Sequence, residues 1–398
     1  MARDGRNAGR VVTIALALLV CTQARAAHAQ GSGPRLVMPN PGGAAMRVAA
    51  DSFTGALGQT GRIDIYRDPA VSGPRPVVLF ANASGTQART MAGYNDWARL
   101  VATRGFIGVL YDGPGFDPAR APAEYRRIVV AQMDSVMAAL NRRADRHGIE
   151  IGNLVVWAGS AQTGAGTPFS LEGNRAVRGY VLYYGLGTVG EPRLDVPVFI
   201  VRAGLDNSQL NAAIDSLALR LVNTGVPVTL VTHPAGAHGF DVIDNDAMSI
   251  GIIEQTLDFI ALVTSPAHRA AVAAGVPVSR ASAAFNARRW ADAERLYHEL
   301  TQQQPANRII AWRLGLAQLA NTNAAAALVT FDRARALGQG GARDIGLPAT
   351  RAALRSGNTA RAVEWLKWAL TSFPAIRNEV AADTELAPLL EHPEIRAR

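Results

Sequence analysis

Apolar and polar positions along this chain follow two different rhythms, and the change falls near residue 264. Before it, short apolar runs alternate with amphipathic stretches of helical period. Residues 46–50 and 61–67 read as early strands, the second with Ile63, Ile65 and Tyr66 set among polar neighbours. Val77-Val78-Leu79-Phe80 and Leu154-Val155-Val156-Trp157 are unbroken apolar runs, the pattern of strands buried on both faces, and the stretches 106–111, 179–184, 196–201 and 227–232 read as further strands. Between them, 87–104, 121–147, 208–222 and 243–263 carry apolar residues at helical spacing. On the second of these, Tyr125, Val129, Met133, Val136 and Leu140 form one stripe. Strands alternating with helices in this way predict an α/β domain over 46–263, a mostly parallel sheet with helices on both faces.

The second rhythm is purely helical. An Ala- and Pro-rich stretch, 264–280, reads as a linker, and from 281 to 398 the sequence repeats itself. Ala293, Ala327 and Ala362 are spaced by 34 and 35 residues, and Tyr297, Phe331 and Leu366 follow each by four. Pro305 and Pro374 stand twelve residues after the first and third alanine, and Leu314-Gly315 lies upstream of the second. These small, large and breaker positions resemble a tetratricopeptide (TPR) array of about three units. Such arrays fit small residues where paired helices touch and aromatics where neighbouring units stack.

Composition changes this picture at the amino terminus. Of 398 residues 48% are hydrophobic, enough for a full core and for more than one domain. Residues 1–29 stand apart: Arg3, Arg6 and Arg10 precede the apolar run 11–21, and Ala27-His28-Ala29 follows. That is the pattern of a secretory signal peptide, so the protein is expected to be secreted or periplasmic. The run is short for a bilayer span, although an uncleaved anchor is the competing reading. Residues 30–45, rich in Gly and Pro, read as a flexible leader. The single cysteine, Cys21, lies in the signal segment, so the mature chain would carry neither a disulfide nor a thiol nucleophile. The formal charge of +8 divides into +3 in residues 1–29, zero in 30–279 and +5 in 280–398, with Lys367 the one lysine. No basic cluster interleaves with aromatics, which sets nucleic acid aside.

Candidate chemistry gathers where strands end. Ala158-Gly159-Ser160-Ala161-Gln162 passes abruptly from a strand into a helix-starting stretch, as a nucleophile elbow does, although Ala158 and Gln162 replace the glycines of Gly-x-Ser-x-Gly. Asp206 follows the strand at 196–201, and His238 follows the strand at 227–232. The order Ser, acid, His is that of α/β-hydrolases, with each residue past the carboxyl end of a separate strand. A serine hydroxyl needs a base during attack, and histidine has the fitting pKa. A carboxylate on its other ring nitrogen fixes the tautomer and stabilises the imidazolium. Asp206 also reads as an N-cap for the helix at 208–222, and Asp215 as a solvated helix residue. His147 and His233 lack the His-Gly-Phe setting of His238. Asp112 and Asp117 read as turn residues at a pocket rim.

The stretch Ala81-Asn82-Ala83-Ser84-Gly85, the Trp-Ala-Gly-Ser-Ala-Gln elbow, Ala-Gly-Leu-Asp206 and Ala-His238-Gly-Phe together resemble the dienelactone-hydrolase-like branch of α/β-hydrolases over about residues 45–263. The resemblance implies cleavage of esters, lactones and sometimes peptides through an acyl-enzyme. Dienelactone hydrolases proper carry cysteine at the elbow, where this chain has serine. Oxyanion donors would be the backbone N–H of Ala161 and one from the loop after Phe80, Ala83 or its neighbour Ser84. No cofactor is expected, since the phosphate-loop and nicotinamide fingerprints fail, and no metal, since no ligand spacing fits. The expectation is an exported serine hydrolase acting on a small-molecule acyl substrate. Its repeat tail would take a protein partner or shield the active-site face. A peptidase of the same fold and an inactive binding module remain open alternatives.

Overall fold

The computed structural model describes residues 33–396 except 84, 86, 116–119 and 339, so the expected signal peptide lies outside the described residues. The strands are β1 (Arg47–Thr54), β2 (Thr60–Arg67), β3 (Arg75–Phe80), β4 (Ile107–Tyr111), β5 (Ile149–Gly159), β6 (Val177–Tyr183), β7 (Val198–Ala203) and β8 (Val228–His233). They form one eight-stranded sheet in the order β1-β2-β4-β3-β5-β6-β7-β8. β2 pairs antiparallel with both β1 and β4, and every other pair is parallel. A mostly parallel sheet of this order with a reversed second strand is the α/β-hydrolase fold.

The main α/β helices are α1 (Ala92–Thr103), α2 (Pro122–Arg142), α3 (Thr163–Pro168), α4 (Ser208–Thr224) and α5 (Ala247–Thr264). Side chains alternate across the sheet, so each strand feeds two cores. From β5, Leu154, Val156 and Ala158 join Met133, Val136 and Leu140 of α2 and Ile214, Leu217 and Leu221 of α4. Val155 and Trp157 join Trp97, Leu100 and Val101 of α1 and Ile253, Leu257 and Ile260 of α5. The sheet is thereby covered on both faces, and its carboxyl edge is left for loops.

Several boundaries differ from the sequence reading. The helix expected over 87–104 is broken at Met91, whose backbone is extended. The one expected over 121–147 stops at Arg142 and resumes for a single turn that ends at left-handed Gly148. The closing helix begins only at Ala247, because the Asp246 carboxylate accepts the Ser249 N–H at 2.7 Å and caps it there. The expected flexible leader is docked from residue 35 onward. Leu36 and Met38 are buried, Arg35 pairs with Asp96 at 2.7 Å, and the Val37 N–H donates to the Asp241 carbonyl at 2.9 Å.

The expected linker is helical too. Residues Pro266–Asn286 form one helix, α6, packed on α4 and α5. The alanines that looked like linker composition are the strongest helix formers. Pro266 occupies the first turn, where a missing N–H costs nothing.

The helical part continues as α7 (Trp290–Gln303), α8 (Arg308–Ala320), α9 (Ala324–Ala336), α10 (Leu347–Arg355) and α11 (Thr359–Ser372), making three successive helix pairs with α6. The turns inside the pairs repeat as well. Arg288, Thr322 and Gly357 take φ of 56°, 64° and 76°. The next residue's N–H then reaches back to Ala284, Gln318 and Ala353 carbonyls at 3.0, 2.8 and 2.8 Å. This is a Schellman-type end at each turn. Ala293, Ala327 and Ala362 are fully buried, as are Phe331 and Leu366, with Tyr297 nearly so.

α5 carries the chain from the carboxyl edge back to Thr264, whose carbonyl accepts from Asn153 Nδ2 at 3.1 Å. At the far end of α4, Gly225 lies so near Ser279 of α6 that a Cβ would meet its carbonyl oxygen at 2.9 Å. The helical part therefore joins the amino edge of the sheet, opposite Ser160. Its first helix does not provide the expected cover over the strand ends.

Candidate active site

Ser160 follows directly on β5 with φ 54°, in the left-handed region that a non-glycine residue enters at a cost of about 1–3 kcal/mol. A single 3-10 turn, Ser160–Gln162, then leads into α3. Tight bends of this kind need room beside them. Here the room comes from Gly166, where a Cβ would meet Ala158 Cβ at 2.8 Å, and from Gly185, where it would meet the Ser160 carbonyl oxygen at 2.4 Å. The elbow can therefore close without a glycine at position 162.

Asp206 and His238 lie on loops after β7 and β8 that are tied to each other. The Gly204 N–H donates to the His233 carbonyl at 2.8 Å and the Leu205 N–H to the Gly236 carbonyl at 3.0 Å. The structure brings all three side chains together. His238 Nε2 is 2.8 Å from Ser160 Oγ, and His238 Nδ1 is 2.6 Å from Asp206 Oδ2. The other Asp206 oxygen accepts the Asn207 N–H at 2.7 Å. The Asp206 side chain is 8% exposed and that of His238 43%, so the acid end is shielded and the hydroxyl end opens outward. Helix capping falls to Asn207 rather than Asp206, its side chain accepting the Gln209 N–H at 2.8 Å.

Two residues that sequence reasoning passed over support the imidazole. The Tyr184 ring packs against His238 with centroids 4.7 Å apart, and its backbone φ is 34°. Its hydroxyl donates to Asp241 Oδ1 at 2.5 Å, while Trp97 Nε1 donates to Asp241 Oδ2 at 2.8 Å. Burial pushes the Asp241 carboxyl up from its ordinary range. Burial, and then the charge of Asp241, pushes the Tyr184 hydroxyl well up. Asp241 stands three residues past His238, but its partners come from positions 97 and 184, and no local spacing announces them.

The expected oxyanion donors have different surroundings. The Ala161 N–H lies in the first turn of a helix, where no helical acceptor precedes it. The Ala83 N–H donates to Gln162 Oε1 at 2.5 Å, and the Ala83 carbonyl accepts from the Tyr125 hydroxyl. Beside it, buried Asn82 gives its N–H to Tyr111 Oη at 2.9 Å and its Nδ2 to the Gly85 and Tyr111 carbonyls, each at 2.8 Å. Ser84 and Asp117 lie outside the described residues.

Other singled-out residues lie away from this constellation. His233 is buried, with Nε2 3.1 Å from Ser249 Oγ, and His147 Nε2 meets Asp51 Oδ2 at 2.7 Å. Asp112 accepts the Arg62 N–H at 2.9 Å and Arg89 Nε at 2.8 Å, fastening a turn. Asp215, read as solvated, faces Arg202 Nε at 3.0 Å. Among the described residues no group of three or more His, Cys, Asp or Glu could hold a metal ion. What the three assembled side chains can do is move a proton from the serine hydroxyl to imidazole while a carboxylate steadies the ring.

No model of a protein family matches the sequence, and no curated protein does. Among solved structures, a bacterial heroin esterase is similar at 18% identity over 56% of this chain and 86% of its own, with a TM-score of 0.47. Brefeldin A esterase is similar at 15% identity over 55% of this chain and 78% of its own, with a TM-score of 0.45. An esterase from Rhizomucor miehei is similar at 14% identity over 55% and 84%, also with a TM-score of 0.45. At such scores these are likenesses in form, and the fold stands on its own strand order.

Proposed function

We propose that this protein is a serine hydrolase that cleaves a carboxylic ester or related acyl bond. The observation that carries the reading is the unbroken chain Asp206–His238–Ser160, with separations of 2.6 and 2.8 Å, on a serine held at φ 54°. In the mechanism it implies, Ser160 Oγ attacks the acyl carbonyl as His238 takes its proton. His238 returns the proton to the leaving alcohol, and water activated by the same imidazole releases the acid from the acyl-enzyme. Asp206 holds the ring tautomer, and the Ala161 and Ala83 N–H groups receive the developing charge. In p-nitrophenyl acetate hydrolysis, Ser160→Ala is expected to lower kcat by roughly six orders of magnitude. Turnover by that variant at the native rate refutes the assignment.

For the helical part we propose a TPR-like array offering a protein-contact surface. Three helix pairs with turns and buried alanines recurring at spacings of 34 and 35 residues support it. Phe331→Ala is expected to destabilise this part by about 3–5 kcal/mol while ester hydrolysis persists. An unchanged melting curve speaks against stacking of repeats through Phe331.

A further inference from the structure

The Ala83 N–H, read above as an oxyanion donor, already has an acceptor within the chain. Gln162 stands where a glycine would leave the Ala83 N–H open, and its side-chain carbonyl takes that N–H at 2.5 Å. An oxyanion held by Ala83 would have to lie about 2.7–3.1 Å from the same nitrogen, and one N–H shared between two oxygens bonds each of them less well. The amide of Gln162 thus presents to the hole the group an ester substrate presents, a neutral sp² carbonyl oxygen. The Ala83 peptide cannot easily turn away, since Tyr125 grips its carbonyl and buried Asn82 anchors the residue before it. Gln162 can turn away, because it is only half-buried and ends a side chain with three rotatable bonds.

We propose that Gln162 is an internal occupant of the oxyanion site that an acyl substrate must displace, and that it thereby governs how readily substrates enter. This rests on the serine-hydrolase reading above. On binding, the exchange of one neutral hydrogen bond for another gains nothing, so the bond to Gln162 is forfeited from the affinity for substrate. Once Gln162 has left, the Ala83 N–H is free to bond the oxyanion as charge develops, and hydrogen bonds to an anion are roughly twice as strong. Gln162 therefore acts on substrate entry more than on the chemical step.

The test compares wild type with Gln162→Gly, Gln162→Met and Gln162→Glu in p-nitrophenyl acetate hydrolysis and in the rate of labelling by a fluorophosphonate. Removing the acceptor in the Gly and Met variants is expected to lower KM by about three- to tenfold, the reach of one neutral hydrogen bond, with kcat little changed and labelling faster. The Glu variant, whose carboxylate mimics the oxyanion, is expected to label at least about tenfold more slowly. Met keeps the side chain's length, so a gain in Met alone supports the proposal even where Gly loosens the elbow. If Gly and Met both lose kcat by about a hundredfold, or if all three variants match wild type, the proposal is overturned while the hydrolase reading stands. If wild type and every variant are silent in both assays, both readings fall; labelling that appears only in Gly or Met upholds both.

Discussion

Left-handed backbone at non-glycine residues occurs in both halves of this molecule, and it means different things in each. In the helical part it recurs at Arg288 and Thr322, at the same point of successive helix pairs, with Gly357 filling the third. There it closes a turn, and the carbonyls it satisfies belong to the preceding helix. At the sheet it occurs at Ser160 and Tyr184, just past the neighbouring strands β5 and β6, beside the imidazole of His238. There the surrounding packing enforces it, and it aims a side chain. A strained torsion thus signals function only when its residue carries chemistry and when glycine, the easier choice, would forfeit that chemistry.

Glycine substitutions break the comparison open. Ser160→Gly is expected to relieve backbone strain by about 1 kcal/mol and to abolish ester hydrolysis. Measured together, denaturant unfolding and turnover should move in opposite directions.

A smaller effect is expected beneath the site. Asp241→Ala leaves the Tyr184 hydroxyl and the Trp97 indole buried without their acceptor, and should cost about 2–4 kcal/mol in urea unfolding. The same carboxyl should leave a mark on pH dependence. Its pKa is raised in the folded state by burial, so its contribution to stability is fully present below the ordinary carboxyl range and is lost as pH rises through the raised value. Asp241→Asn should flatten that stretch of the stability curve; an unaltered slope would show that Asp241 does not titrate there.

Smallest is Thr322→Gly in the helical part. It should stabilise by no more than about 1 kcal/mol, with hydrolysis unchanged. A loss of activity there would erase the distinction between the two regions.

Much of this was legible in the sequence, for identifiable reasons. Strands buried on both faces spell themselves as apolar runs, and the spacing of Ala293, Ala327 and Ala362 returns as buried positions of successive helix pairs. Ser160 follows its strand directly, and Asp206 and His238 stand on the loops after theirs, so an order of features along the chain anticipated a meeting in space. What stayed hidden depends on partners distant in sequence. Asp241 is defined by Trp97 and Tyr184, and Gln162 by the N–H of Ala83. The stretch at 264–280 was misread because alanine and proline suit both linkers and helix starts, and only packing on α4 and α5 decides between them. The leader was misread likewise, since Gly and Pro conceal that Leu36 and Met38 reach the core.

The most direct measurement is to expose the intact folded protein to a fluorophosphonate and locate the adduct by peptide mass spectrometry. The account predicts a single adduct on Ser160, formed in wild type and suppressed in His238→Ala. A folded wild-type protein whose adduct falls on another residue, or one that labels equally well without the imidazole, would contradict it.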